Sequence, residues 1–120
     1  MAMTLQQIAD RIEIDDVLTR YAAALDAKDW DLFSTCFTPD AAIDYTAAGG
    51  IKGTLPEVRA WLAEVMVRFP MTQHLVTNRS VHVDGRAAVA RYVFNDELRT
   101  AIVRNVHGDS AGVLGAAMLV

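Results

Sequence analysis

Little in this sequence invites a disulfide, a membrane or a nucleic acid. A single cysteine, Cys36, stands in the whole chain, so no internal disulfide can form and a reducing, cytoplasmic setting is expected. Eleven Lys and Arg face 15 Asp and Glu for a net charge of −4, with no basic run. Nucleic acids and anionic membrane surfaces are therefore not expected partners. The most apolar stretch, residues 111–120, is broken by glycine and falls short of the ~20 residues that cross a bilayer. No charged start followed by an apolar run suggests a secretory leader. Repeats, linkers and low-complexity tracts are absent too. With 52% hydrophobic and 22% charged residues, the 120 positions fit one globular domain, 1–120, with a real core.

What the chain does have is hydrophobic periodicity. Leu5, Ile8, Ile12, Leu18, Tyr21 and Leu25 recur near helical spacing among charged residues, which predicts an amphipathic helix over 4–27. Thr4 with Gln7 reads as a capping box at its start. Asp29 is placed to cap a short second helix through Phe37, ended by Pro39-Asp40. A strand is predicted over 41–46, with Ile43 and Tyr45 on one face. The turn Ala47-Ala48-Gly49-Gly50 and a second short strand closed by Gly53 follow. Thr54, Pro56 and Glu57 open a third helix that buries Val58, Trp61, Leu62, Val65 and Met66 and stops before Pro70. Strands 73–83 and 86–95 form a hairpin about Asp84-Gly85. Further strands are expected at 98–106 and 113–120, about a His107-Gly108-Asp109 turn. Helices first and a mainly antiparallel sheet after make an α+β pattern. A curved sheet wrapped by an N-terminal helix forms a cone whose apolar interior suits a small molecule.

Few residues carry chemistry. Asp26 lies near the end of the first helix, where the dipole disfavours a carboxylate, so it calls for a compensating partner. His74 opens a strand; an imidazole held in one tautomer by a carboxylate is a usable general base. The plain alternatives, a solvated carboxylate and a hydrogen-bonded strand-start histidine, stay open on the residues alone. His82 lies eight strand residues from His74, roughly 26 Å at ~3.3 Å each, so a metal shared with Asp26 is not expected. Tyr21 stands five helical residues, about 140°, from Asp26, so the two flank a broad cavity rather than share a narrow face. Tyr45, on a strand, suits an inward hydroxyl. Asn78 shares a face with His74 provided no bulge intervenes, and either donates to substrate or satisfies a sheet edge. Trp30 and Trp61 read first as packing residues, with Trp30 and Asn78 the candidates for lining a bound substrate. Arg91 fits a surface ion pair, and Cys36, within Leu32-Phe33-Ser34-Thr35-Cys36-Phe37, fits the core. The Gly49-Gly50…Gly53 cluster lacks the Lys-Ser/Thr of a phosphate loop.

Taken in order, Tyr21…Asp26-Ala27-Lys28-Asp29-Trp30-Asp31, Ala42-Ile43-Asp44-Tyr45 and Thr72-Gln73-His74 resemble the SnoaL-like branch of the NTF2-like superfamily over roughly residues 5–95. The similarity is to scytalone dehydratase, bile-acid 7α-dehydratase and hexachlorocyclohexane dehydrochlorinase. It implies an NTF2-like cone in which His74 is the general base, Asp26 its carboxylate partner, and Tyr21 and Tyr45 the tyrosines facing substrate. It further implies a lyase of the dehydratase type that needs no cofactor and acts on a small, apolar, oxygen-bearing ring compound. An isomerase or polyketide cyclase of the same fold, or a non-enzymatic ligand-binding or assembly module, is the alternative. The chain departs from the pattern at its end. A second active-site histidine and a serine–asparagine pair find no counterpart, and no Trp-Arg or Trp-Lys strand follows. Instead Asn95-Asp96-Glu97-Leu98-Arg99-Thr100 runs into a Gly/Ala/Val tail. The C-terminus is thus atypical and shortened, and the tail closes its own sheet or a neighbour's. An open sheet edge makes a homo-oligomer, dimer or trimer, the expected assembly.

Overall fold

The computed structural model describes residues 2–94, 97–104 and 115–119, with side chains through residue 92. Helix α1 spans Leu5–Ala27 and starts on a reciprocal cap. Thr4 Oγ1 accepts the Gln7 N–H at 3.1 Å, and Gln7 Oε1 accepts the Thr4 N–H at 2.8 Å. Its buried stripe is Ile14, Val17, Leu18, Tyr21, Ala22, Ala24 and Leu25. Leu5, Ile8 and Ile12, expected inside, are exposed. At 100° per residue Leu5, Ile8 and Ile12 lie about 150° around the helix from that stripe, so the spaced apolar residues do not form one face and only the stripe that includes Leu18, Tyr21 and Leu25 packs.

Lys28 ends α1 in the left-handed region at φ 53°, and its N–H turns back to the Ala24 and Leu25 carbonyls. Asp29 then caps α2, Trp30–Ser34, by accepting the Leu32 N–H at 3.0 Å. The N–H groups of Thr35, Cys36 and Phe37 bond carbonyls three residues back, so the chain tightens into turns and α2 stops short of the expected Phe37.

Strands β1 (Ala42–Asp44) and β2 (Lys52–Thr54) pair antiparallel, with Ile43 opposite Gly53. The first was expected to reach residue 46. It ends at Asp44 because that carboxylate accepts both the Thr46 N–H at 2.9 Å and the Thr46 hydroxyl at 2.6 Å, folding the chain into the turn Thr46–Ala48. Helix α3, Leu55–Met66, begins on a Thr54–Glu57 capping box and buries Val58, Leu62 and Met66.

Strands β3 (Val76–Asp84), β4 (Ala87–Phe94), β5 (Glu97–Arg104) and β6 (Gly115–Leu119) complete a sheet of order β2-β1-β6-β5-β4-β3. Every pairing is antiparallel except β1 with β6. The chain therefore forms the expected α+β arrangement, and its tail strand enters its own sheet between β5 and β1. The His107 turn lies outside the described residues. Ala88, Ala90 and Tyr92 alternate inward along β4 and join Ile43, Phe33, Val58 and the α1 stripe in one core. Among the described residues no helix is long and apolar enough to cross a membrane.

Candidate active site

Two segments distant in sequence meet at the last turn of α1. Asp26 Oδ1 accepts from His74 Nδ1 at 2.5 Å and from the Thr72 hydroxyl at 2.9 Å, while Oδ2 accepts the His74 backbone N–H at 2.9 Å. Strand β3 begins at Val76 rather than at 73. The His74 N–H is committed to the carboxylate and is not available to a ladder. A second clasp lies nearby, where Lys28 Nζ donates to the Phe69 carbonyl at 2.5 Å.

Both partners are largely withdrawn from water, with the His74 side chain 16% and the Asp26 side chain 27% exposed. Burial pushes the Asp26 pKa up. The His74 N–H, the His74 ring, the Thr72 hydroxyl and the imidazole charge together outweigh it and hold the carboxyl below its ordinary 3.8. These donors also answer the unfavourable end of the helix dipole. An ionised carboxylate only accepts, so Nδ1 carries a proton, and whenever the ring is neutral its lone pair is on Nε2. That is the tautomer a general base needs.

Tyr21 and Tyr45 form a second pair. Their hydroxyl oxygens lie 2.6 Å apart, one donating to the other, on residues 4% and 8% exposed. Tyr21 packs against Phe33 at 5.7 Å and Phe37 at 6.2 Å between ring centroids, and Tyr45 against Trp61 at 6.2 Å. Gly50 makes the last contact feasible, since a Cβ there would stand 2.7 Å from both Trp61 Cη2 and Tyr45 Cβ.

The other candidates lie apart from these pairs. Trp30 is half-buried and stacks edge-on against Phe33 at 5.9 Å. Asn78 is exposed, with φ 52°, where the β3–β4 register slips between Thr77 and Ser80. The face expected to carry both His74 and Asn78 is thus interrupted by a bulge. The neighbouring Arg79 reaches back to Asp15 on α1 at 2.6 Å. His82 and Arg91 are exposed, and Cys36 is core, its thiol pushed up by burial. Sequence reasoning missed Thr72 as a site residue. The available signal was its place two residues before His74, since alternate residues of an extended segment face the same way.

Residues 6–114 match the SnoaL-like domain. An uncharacterized protein of Mycobacterium tuberculosis H37Rv is 42% identical over 91 residues, and one from Mycobacterium bovis matches to the same degree. The alignment takes in 76% of this chain and 62% of each relative, so the chain spans less than two thirds of their length. A Novosphingobium aromaticivorans protein, provisionally designated an aromatic ring hydroxylase, superposes with TM-score 0.76 at 24% identity over 92% of this chain and 88% of that one. Another from the same organism, provisionally designated a scytalone dehydratase, gives TM-score 0.74 at 18% identity over 97% and 87%. The structural likenesses establish the fold, and the domain match runs through α1, the Asp26–His74 pair and strands β1 to β5: the chain belongs to the SnoaL-like domain family of NTF2-like fold.

Proposed function

We propose that this protein is a lyase of the dehydratase type, acting without a cofactor on a small, apolar, oxygen-bearing ring compound. The observation that carries the reading is the 2.5 Å contact between Asp26 Oδ1 and His74 Nδ1, which supports a neutral ring with its lone pair on Nε2. A proton next to a ring carbonyl is acidic enough for a positioned imidazole. In this reading Nε2 takes that proton as the C–H bond breaks, and Asp26 stabilises the imidazolium that forms. The electrons move onto the carbonyl oxygen, where a hydroxyl of the Tyr21–Tyr45 pair donates to the developing oxyanion. As the carbonyl re-forms, the C–O bond to the leaving hydroxyl breaks and Nε2–H returns its proton, so water departs. Tyr21 and Asp26 are about 7.5 Å apart along the α1 axis and about 140° around it, so in this reading the substrate lies across the broad face between them. The dehydratase designation of a structural neighbour agrees with this assignment.

The test is a panel of cyclic β-hydroxy ketones, followed by the ultraviolet absorbance of the conjugated enone each would yield. Wild type should turn over at least one, and His74→Ala should lose about 10²–10⁴-fold in kcat, the worth of a general base. If wild type binds such ketones without turnover and His74→Ala binds them equally well, the protein is a binding module and the lyase reading fails.

A further inference from the structure

We propose that Thr72 is a positioning residue of the dyad: its hydroxyl, donating to the Asp26 oxygen that faces His74 Nδ1, keeps the shared proton on the imidazole. The inference rests on the dyad reading above and assigns a role to a residue outside it.

Asp26 Oδ1 is approached by two groups, His74 Nδ1 at 2.5 Å and Thr72 Oγ1 at 2.9 Å. Because an ionised carboxylate cannot donate, the threonine proton must point at Oδ1. Among the described residues, Thr72 is the one hydrogen-bond donor to Asp26 that does not belong to His74 itself. The torsion that turns a carboxylate is soft and roughly two-fold, so its orientation depends on what its oxygens meet. The His74 N–H fixes Oδ2, and Thr72 fixes Oδ1 independently of the ring that Oδ1 is to orient. The local chain makes this geometry available. Thr72 and His74 are both half-buried, whereas Gln73 between them is exposed, the alternation of an extended segment.

The chemical consequence follows from two donors sharing one oxygen. A second donor spreads the charge on Oδ1 and makes it a poorer base, which agrees with the lowered Asp26 pKa, to which the Thr72 hydroxyl contributes. After Nε2 has taken the substrate proton, the ring holds protons on both nitrogens. Transfer of the Nδ1 proton to Asp26 would leave a neutral ring, a far weaker acid toward the departing hydroxyl. Thr72 opposes that transfer. Over the cycle one proton passes from carbon to Nε2 and from Nε2 to the leaving oxygen, and neither Thr72 nor Asp26 gains or loses one.

The experiment compares wild type, Thr72→Ser and Thr72→Val by NMR without substrate, following the ring nitrogens of His74 and the side-chain carboxyl carbon of Asp26 against pH. The serine variant keeps the hydroxyl; valine keeps the shape and removes it. Thr72→Ser should match wild type. In Thr72→Val the Asp26 carboxyl should titrate at higher pH, and the two His74 nitrogen signals should move toward each other as the tautomer preference weakens. A Thr72→Val protein indistinguishable from wild type in both nuclei overturns the proposal and leaves the dyad standing. Equal shifts in serine and valine variants also overturn it, since packing rather than the hydroxyl would be at work. If wild-type His74 already shows averaged tautomers, this inference and the base assigned under the proposed function fall together.

Discussion

Asp26→Asn tests the dyad most directly, because the substitution keeps size and removes both charge and acceptor symmetry. Asparagine offers one acceptor oxygen and one donor NH₂. With its oxygen toward Thr72 and the His74 ring, its NH₂ confronts the His74 backbone N–H; turned over, its NH₂ is accommodated only when the Thr72 hydroxyl reverses to accept and Nδ1 becomes an acceptor, which is the other imidazole tautomer. Either a hydrogen bond or the tautomer is therefore lost, and the bonds that remain fall from charge-assisted to neutral. Charge-assisted bonds are worth about 1.5–3 kcal/mol and neutral ones about 1 kcal/mol. Some water reaches side chains that are 16% and 27% exposed, which brings the cost to about 2–3 kcal/mol. Over 120 residues at about 2.1 cal/mol/K each, that lowers Tm by roughly 8–12 °C. The pH dependence has a definite sign. The native Asp26 pKa lies below its ordinary 3.8, so its contribution is complete above that value and disappears as pH falls through the native pKa, below 3.8. The gap between wild type and Asp26→Asn should be wide near neutrality and close in acid. Thermal unfolding followed by circular dichroism from pH 7 downward measures both. Melting temperatures within about 2 °C of each other at pH 7, or a gap that stays constant below pH 3.8, refute the reasoning.

Three further expectations follow from the same contacts. Tyr21→Phe and Tyr45→Phe should each cost about 1 kcal/mol, and the double variant less than their sum, because both delete one shared hydroxyl contact; urea unfolding of all four proteins gives the coupling. Gly50→Ala should destabilise by about 1–3 kcal/mol and change the near-ultraviolet dichroism, since its Cβ would stand 2.7 Å from Trp61 Cη2 and from Tyr45 Cβ. At Asn78, φ 52°, glycine should be tolerated and valine should cost about 1–2 kcal/mol in urea unfolding; the opposite order would mean that the side chain, not the backbone, sets the choice.

Features written within three or four residues were legible. The Thr4–Gln7 and Thr54–Glu57 caps are local chemistry, and both helices start where those pairs place them. Gly85, at φ 58°, makes the β3–β4 turn readable, although that turn falls between Asp84 and Ala87 rather than on Asp84-Gly85. Features that need a partner were less so. Approximate helical spacing merged two faces of α1: Leu5 and Ile12 lie nearly opposite the stripe of Leu18, Tyr21 and Leu25 and are exposed. The meeting of Asp26 with His74 was suggested by the dipole argument and the family resemblance, not by spacing, because no local rule closes so long a loop. Asn78 did carry a usable signal, since asparagine tolerates positive φ better than most residues. Thr72 carried none apart from its neighbour, because a threonine hydroxyl declares a role only once an acceptor is in place.

The position of β6 has a kinetic consequence. Close spacing in the sequence lets β3, β4 and β5 zip together early, and β1 with β2 likewise, but among the described residues the two groups join in the sheet only through residues 115–119. That insertion pairs Asp44 with Leu119, so the entropy of a long loop must be overcome before it is rewarded. Until then β1 and β5 each present an unsatisfied edge to the solvent. A half-folded molecule is therefore a template for the tail strand of any copy it meets, and the yield of refolding should fall as protein concentration rises.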